Sequence, residues 1–409
     1  MSEPSTSLRR SLSLPLITFY GLGTILGAGI YVLIGKIAGI AGIYSPFAFL
    51  LAAIVAFFTA FSYAELSARY PLSAGAALYV EKAFSKRCLS AILGWSVVLT
   101  GIVSAGTMVN GFVGYLNIFI QLPPWLSITV LVLGLGLLAA WGINESVITA
   151  AVITLIEVSG LILVLFMAGD SLSQLPERWR ELVPPLSGSV WLSIALGAFL
   201  AFYAFIGFED MVNVAEEVKD PSRNLPLSIL LALSIATLLY MLIALVSVLA
   251  LPLDLLAGSD APLATIIEHQ GKHSPAIISL ISLFAVVNGA LVQIIMASRL
   301  VYGMSKQGMA PGLFNDVNPR TRTPIRATIL ITLLILVLAL WLPLVALAKA
   351  TSFIILLVFT VVNLSLCRLK LRGEPTPEGV VNYPIVIPAV GFLLCLGLLV
   401  LQALSGYGR

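Results

Sequence analysis

Apolar residues in this chain gather into eleven long runs separated by short polar stretches. The runs lie at 14–37, 43–67, 88–120, 125–141, 147–169, 190–213, 227–251, 276–303, 326–343, 346–366 and 385–404. A helix of about 20 apolar residues crosses the ~30 Å hydrocarbon core of a bilayer, so the pattern predicts eleven membrane-spanning helices. The period-two alternation of barrel strands is absent. Two runs are interrupted midway. The first has no charge from Ser11 to Ile34, yet it carries Gly21, Gly23 and then Gly27-Ala28-Gly29-Ile30. The sixth brings Gly207, Glu209 and Asp210 deep into apolar sequence. Glycine costs about 1 kcal/mol relative to alanine inside a helix. Non-helical backbone at membrane depth survives only where it is buried in protein or lines a cavity. Both interruptions therefore predict a cavity within the membrane.

The two broken runs stand five spans apart. A repeat of five spans must invert its second copy, and broken helices at matching positions of inverted halves point to a transporter site. The expected architecture is an all-α polytopic membrane protein forming a single membrane domain over 1–409. Residues 14–170 would form the first inverted repeat, 190–371 the second, and 385–404 an additional span. The first run lacks a cleavage-site pattern and reads as a retained span. Composition agrees: 59% of residues are hydrophobic and 10% charged, against about 25% charged in a soluble domain. Placing the N-terminus in the cytoplasm puts sixteen of the lysines and arginines on that side and six on the other. The positive-inside rule favours that orientation. These basic residues lie in short loops, where lipid headgroups account for them better than nucleic acid does.

Candidate chemistry concentrates at the breaks. An unwound span 1 frees backbone N–H groups at Gly27, Ala28, Gly29 and Ile30. The half-helix starting there presents about +0.5 charge, suited to a carboxylate. The break in span 6 would release carbonyls of Tyr203, Ala204 and Ile206 for a substrate ammonium. Phe205 is the expected gate, and Phe208 and Glu209 are expected at the gate or inner vestibule. Glu157 lies mid-span, where a charge costs roughly 2.5–3.5 kcal/mol. It is the candidate proton-coupling residue; a permanently protonated glutamate and an anionic sodium ligand remain the alternatives. Glu216, Glu217, Lys219, Asp220 and Arg223 read as a solvated salt-bridge set, and Asn288 as a buried polar residue of span 8. Cys88, Cys367 and Cys395 are isolated and imply no disulfide framework. His269 and His273 lie four apart in a polar loop, but Gln270 stands where a zinc-protease motif needs glutamate. No metal or other cofactor is expected.

Four blocks then carry a resemblance. They are the run from Gly21 to Gly35; Tyr63-Ala-Glu-Leu-Ser-Ala-Arg-Tyr-Pro71 with Gly75 and Tyr79; Phe205-Ile-Gly-Phe-Glu209 continuing through Ala215 to Pro226; and Ala297-Ser-Arg-Leu-Val-Tyr302 with Gly308 and Thr323-Pro324. In this order they resemble the amino acid–polyamine–organocation (APC) superfamily of amino acid permeases. The resemblance implies the 5+5 inverted-repeat (LeuT-type) transporter fold and supports Tyr203, Ala204 and Ile206 as substrate contacts. Members usually have twelve spans, one more than the runs here. The block Gly142-Ile-Asn-Glu-Ser146 is similar to relatives with a lysine twelve residues after the glutamate, thought to replace a coupling sodium ion. Here that position is Glu157.

The expected function is secondary active import of amino acids, neutral ones favoured, across a cytoplasmic (inner) membrane. Coupling would be to protons, with lipid and a small-molecule substrate as partners. A sodium-coupled symporter, an amino acid exchanger and a transporter-derived sensor are the alternatives. An enzyme is disfavoured by the lack of a Gly-x-Ser-x-Gly elbow or a His-Glu-x-x-His motif. A channel is disfavoured by the lack of filter rings.

Overall fold

A computed structural model describes residues 10–72, 75–142, 147–271 and 274–407. Arg9, the Ile143–Ser146 stretch with Glu145, Lys272, His273 and Arg409 lie outside the described residues. Span 1 consists of helices Leu14–Leu26 and Ala28–Ala41. Spans 2 to 5 are Ser45–Arg69, Arg87–Leu116, Pro124–Trp141 and Val147–Met167. Span 6 begins as Gly188–Ala201, and spans 7 to 11 are Pro221–Ala250, Ala276–Lys306, Ile325–Trp341, Leu344–Leu371 and Val386–Tyr407. The apolar runs thus predicted the spans to within a few residues.

The differences lie in the connections and in span 6. Stretches expected as loops contain short helices: Gly75–Phe84, Leu175–Leu182, Leu253–Gly258 and Pro262–Gln270. His269 therefore sits in a last helical turn, which Gly271 ends at φ +65°. Beyond Ala201, span 6 tightens into a 3-10 turn at Phe202–Phe205. It becomes extended at Ile206 and resumes as a second 3-10 stretch over Phe208–Glu217. The expected half-helix there is not α-helical.

Packing joins span 2 to 7, 3 to 8 and 4 to 9, and lays span 1 against spans 5 and 7. The chain's N-terminal side is fastened by a parallel bridge in which Leu12 N–H donates to Glu217 O at 3.0 Å and Lys219 N–H donates to Leu12 O at 2.9 Å. On the same face, buried Glu65 accepts from Arg69 at 2.6 Å, from Lys370 at 2.6 Å and from Tyr383 N–H at 3.0 Å. This network ties spans 2 and 10 to the linker before span 11. Deeper, Asn363 of span 10 accepts from Ser62 at 2.6 Å and donates to Thr59 at 2.9 Å. Such polar contacts satisfy groups that lipid cannot.

Candidate functional site: two breaks at the end of a one-sided cavity

The helix of span 1 stops at Leu26. Gly27 takes φ −14° and ψ −146°, and the second half starts at Ala28. The first N–H groups of that half have no acceptor within their own helix. In span 6, Gly207 adopts φ +126°, a region that only glycine enters without strain. A Cβ at Gly207 would also strike the Thr24 carbonyl.

These breaks touch one another. Thr24 Oγ1 lies 2.8 Å from Gly21 O and 3.0 Å from Gly207 O, sharing its proton between them. A Cβ at Gly29 would lie 2.5 Å from the α-carbon of Ala204. The Tyr240 hydroxyl of span 7 stands 2.8 Å from Ile25 O and 2.9 Å from Ala204 O. The Tyr203 carbonyl accepts from Ile206 N–H at 3.3 Å, and its hydroxyl pairs with Ser104 at 3.1 Å. Gly207 N–H donates to Glu209 Oε2 at 2.8 Å, so that carboxylate folds back on the break. Phe205 is buried against Phe49 and Tyr240, and Phe208 against Tyr63 and Phe359.

A cavity of about 600 Å³ runs from this junction to the face that carries the chain's N-terminal side. One wall is Tyr20, Gly23, Thr24 and Gly27 of span 1 with Asp210, Asn213 and Glu217 of span 6. The facing wall is Gly94, Gly101 and Met108 of span 3 with Asn288, Gly289, Gln293 and Arg299 of span 8. Glu81 lies at the mouth, and Ala150 and Thr154 of span 5 complete the lining. Of the singled-out positions, Gly27 forms wall. Gly29, Ile30, Tyr203, Ala204, Phe205 and Ile206 pack behind it, and Ala28 opens the second half-helix. The opposite face is sealed. Lys36 pairs with Asp260 at 3.1 Å, and Gly114 lies so close to the Asp260 carbonyl that a Cβ would not fit.

Glu157 is fully buried, one turn along span 5 from Thr154. Its backbone carbonyl accepts from the Tyr31 hydroxyl at 2.6 Å, and the Tyr31 carbonyl accepts from Tyr115 at 2.5 Å. Spans 1, 3 and 5 are thus linked directly behind the cavity. Among the described residues no group of three or more His, Cys, Asp or Glu could hold a metal ion.

Sequence reasoning missed Met108, Thr154, Gln293 and Arg299 as cavity residues. The seven-residue spacing of Gly94, Gly101 and Met108 was a usable signal, because it sets all three on one helix face.

An amino acid permease family model matches residues 12–407. Over 418 residues the chain is 28% identical to the branched-chain amino acid permease BcaP of Bacillus subtilis, spanning 96% of this chain and 88% of that protein. It is also 28% identical over 415 residues to a methylthioribose transporter of the same organism, with the same coverage. Against the vacuolar cationic amino acid transporter 4 of Arabidopsis thaliana it is 30% identical over 393 residues, which is 91% of this chain and 65% of that protein.

Proposed function

Because this chain belongs to the amino acid permease family, we propose that it imports amino acids across a cytoplasmic membrane by proton-coupled alternating access, with neutral substrates favoured. The observation that carries the reading is the junction of the two breaks at the closed end of the cavity. The carboxylate would sit on the N–H groups that begin at Ala28, beside Gly27, where the half-helix N-terminus is positive. The ammonium would take carbonyls of span 6 near Tyr203, Ala204 and Ile206. The N-terminus is assigned to the cytoplasm, so the cavity described above corresponds to the inward-open state. The packing of span 2 on 7, 3 on 8 and 4 on 9 fits inverted repeats at 14–170 and 190–371, with 385–404 outside them.

Glu157 is assigned to proton coupling. A fully buried carboxylate one turn behind a cavity-lining residue can gain and lose a proton as rocking changes its access. Phe205 and Phe208 would act as gating aromatics, and Glu209 as the group that holds the span 6 break.

A second reading concerns substrate charge. The cavity lining holds Glu81, Asp210 and Glu217 against Arg299, an acidic excess that suits cationic side chains. One relative carries a cationic amino acid transporter name. Another is named for methylthioribose, so the panel should include that sugar. Uptake of labelled amino acids into proteoliposomes, with proton and sodium gradients imposed separately, tests these assignments. Saturable uptake of neutral amino acids that responds to the proton gradient alone is expected. Passive, non-saturating flux would sink the proposal, and preference for arginine or lysine would select the second reading.

A further inference from the structure

Span 3 first lines the cavity and then seals it. Gly94 and Gly101 form wall opposite Met304 and Gln293 of span 8, and Met108 follows at the closed end. Three residues later Gly111 meets Val32, and the Tyr115 hydroxyl reaches the Tyr31 carbonyl. At Gly111 and Tyr115, span 3 thus contacts the second half of span 1 beyond the cavity. Met108 therefore forms the floor. Its thioether lies between two glycines. A Cβ on Gly27 would stand 3.7 Å from Met108 Cε, and a Cβ on Gly289 would stand 2.9 Å from Sδ.

We propose that Met108 sets the upper size limit of the transported side chain, with Gly289 providing the space into which its thioether fits. The inference rests on the reading that an amino acid carboxylate sits at the span 1 break. A backbone held there places the substrate side chain directly against the Met108 methyl group. Methionine is unbranched and adaptable, so it accommodates small and branched aliphatic chains by changing rotamer. An aromatic ring needs volume that the thioether already fills, and the protein interior around it is close-packed. Span 3 supplies the methionine and span 1 the glycine, so the size check lies between two elements that move relative to each other in alternating access.

The test is competition against labelled alanine uptake in proteoliposomes by valine, leucine, phenylalanine and tryptophan. For the unmodified protein, competition should fall by about 10-fold or more between leucine and tryptophan, since one methylene in an apolar pocket is worth roughly 10–200-fold. Met108→Ala should raise phenylalanine and tryptophan relative to alanine by about 10-fold, mainly through KM. Met108→Leu should keep the original ranking. Gly289→Ala, which pushes the thioether onto Gly27, should weaken leucine relative to alanine. Equal competition by tryptophan and alanine in the unmodified protein overturns the proposal without any variant having to fold. An unchanged ranking in Met108→Ala with uptake intact also overturns it, and leaves the amino acid reading standing. No uptake of any amino acid by the unmodified protein would overturn both.

Discussion

The two breaks face each other, yet their polar groups are in different conditions. Span 1 turns its break toward the cavity, with Gly27 in the wall and the helix Ala28–Ala41 beginning directly after it. Span 6 has its break already occupied by the protein's own groups. Tyr240 holds the Ala204 carbonyl, Thr24 holds the Gly207 carbonyl, and Glu209 holds the Gly207 N–H. The span 1 break thus borders the cavity, while the protein's own groups hold the Ala204 and Gly207 carbonyls of span 6. A buried carbonyl without a partner costs about 1–3 kcal/mol, and here the protein satisfies its own. In the proposed pose, substrate ammonium would compete with a tyrosine, whereas carboxylate would meet the N–H groups that begin the second half of span 1, which have no acceptor within their own helix.

The largest effect should come from joining the breaks badly. Gly207→Ala forces a Cβ into φ +126° and against the Thr24 carbonyl. Strain of about 1–3 kcal/mol plus that clash should cut uptake by about 100-fold and lower the melting temperature in a thermal-shift assay. Wild-type uptake would show that the breaks need not touch. Next, Glu157→Gln should abolish the roughly 10-fold extra accumulation (about 1.4 kcal/mol) that an inside-alkaline gradient drives, while leaving downhill exchange. Uptake measured with and without the gradient decides it, and an unaltered response would remove Glu157 from coupling. Tyr240→Phe releases the Ala204 carbonyl, and the account expects lower stability by about 1–3 kcal/mol together with a KM lowered several-fold. A raised KM would mean that the tyrosine positions the site rather than competing for it. Thr24→Val should cost about 1 kcal/mol, visible as a small loss of both uptake and melting temperature. Smallest of all, Lys36→Met removes a partly exposed pair with Asp260 on the sealed face, worth about 0–1 kcal/mol. It should shift the inward/outward balance only slightly, as read by cavity-cysteine labelling.

The asymmetry between the breaks was not legible in the sequence, although both breaks were. Gly27 and Gly207 stand out because lipid-exposed helix has no use for them, and uninterrupted apolar runs predict spans wherever they occur. What completes span 6 is distant: Tyr240 lies 36 residues past Ala204 and belongs to another span. Nothing local to Tyr240 marks it as a partner of a broken helix. For Met108 the spacing from Gly94 and Gly101 marks the helix face but not the role, which emerges only when Gly27 and Gly289 are seen on either side. The 3-10 course of Phe208–Glu217 escaped because helical pattern does not separate it from α-helix over ten residues, and Glu209 folding back on Gly207 depends on the turn itself.

The central claim is that the break of span 1 binds a carboxylate. The most direct measurement compares inhibition of labelled alanine uptake by alanine, alaninamide and N-acetylalanine. Losing a charge-assisted contact to the N–H groups that begin the second half of span 1 should cost about 1.5–3 kcal/mol. Alaninamide should therefore inhibit at least about 10-fold more weakly than alanine. Equal inhibition by alaninamide and alanine would contradict the account.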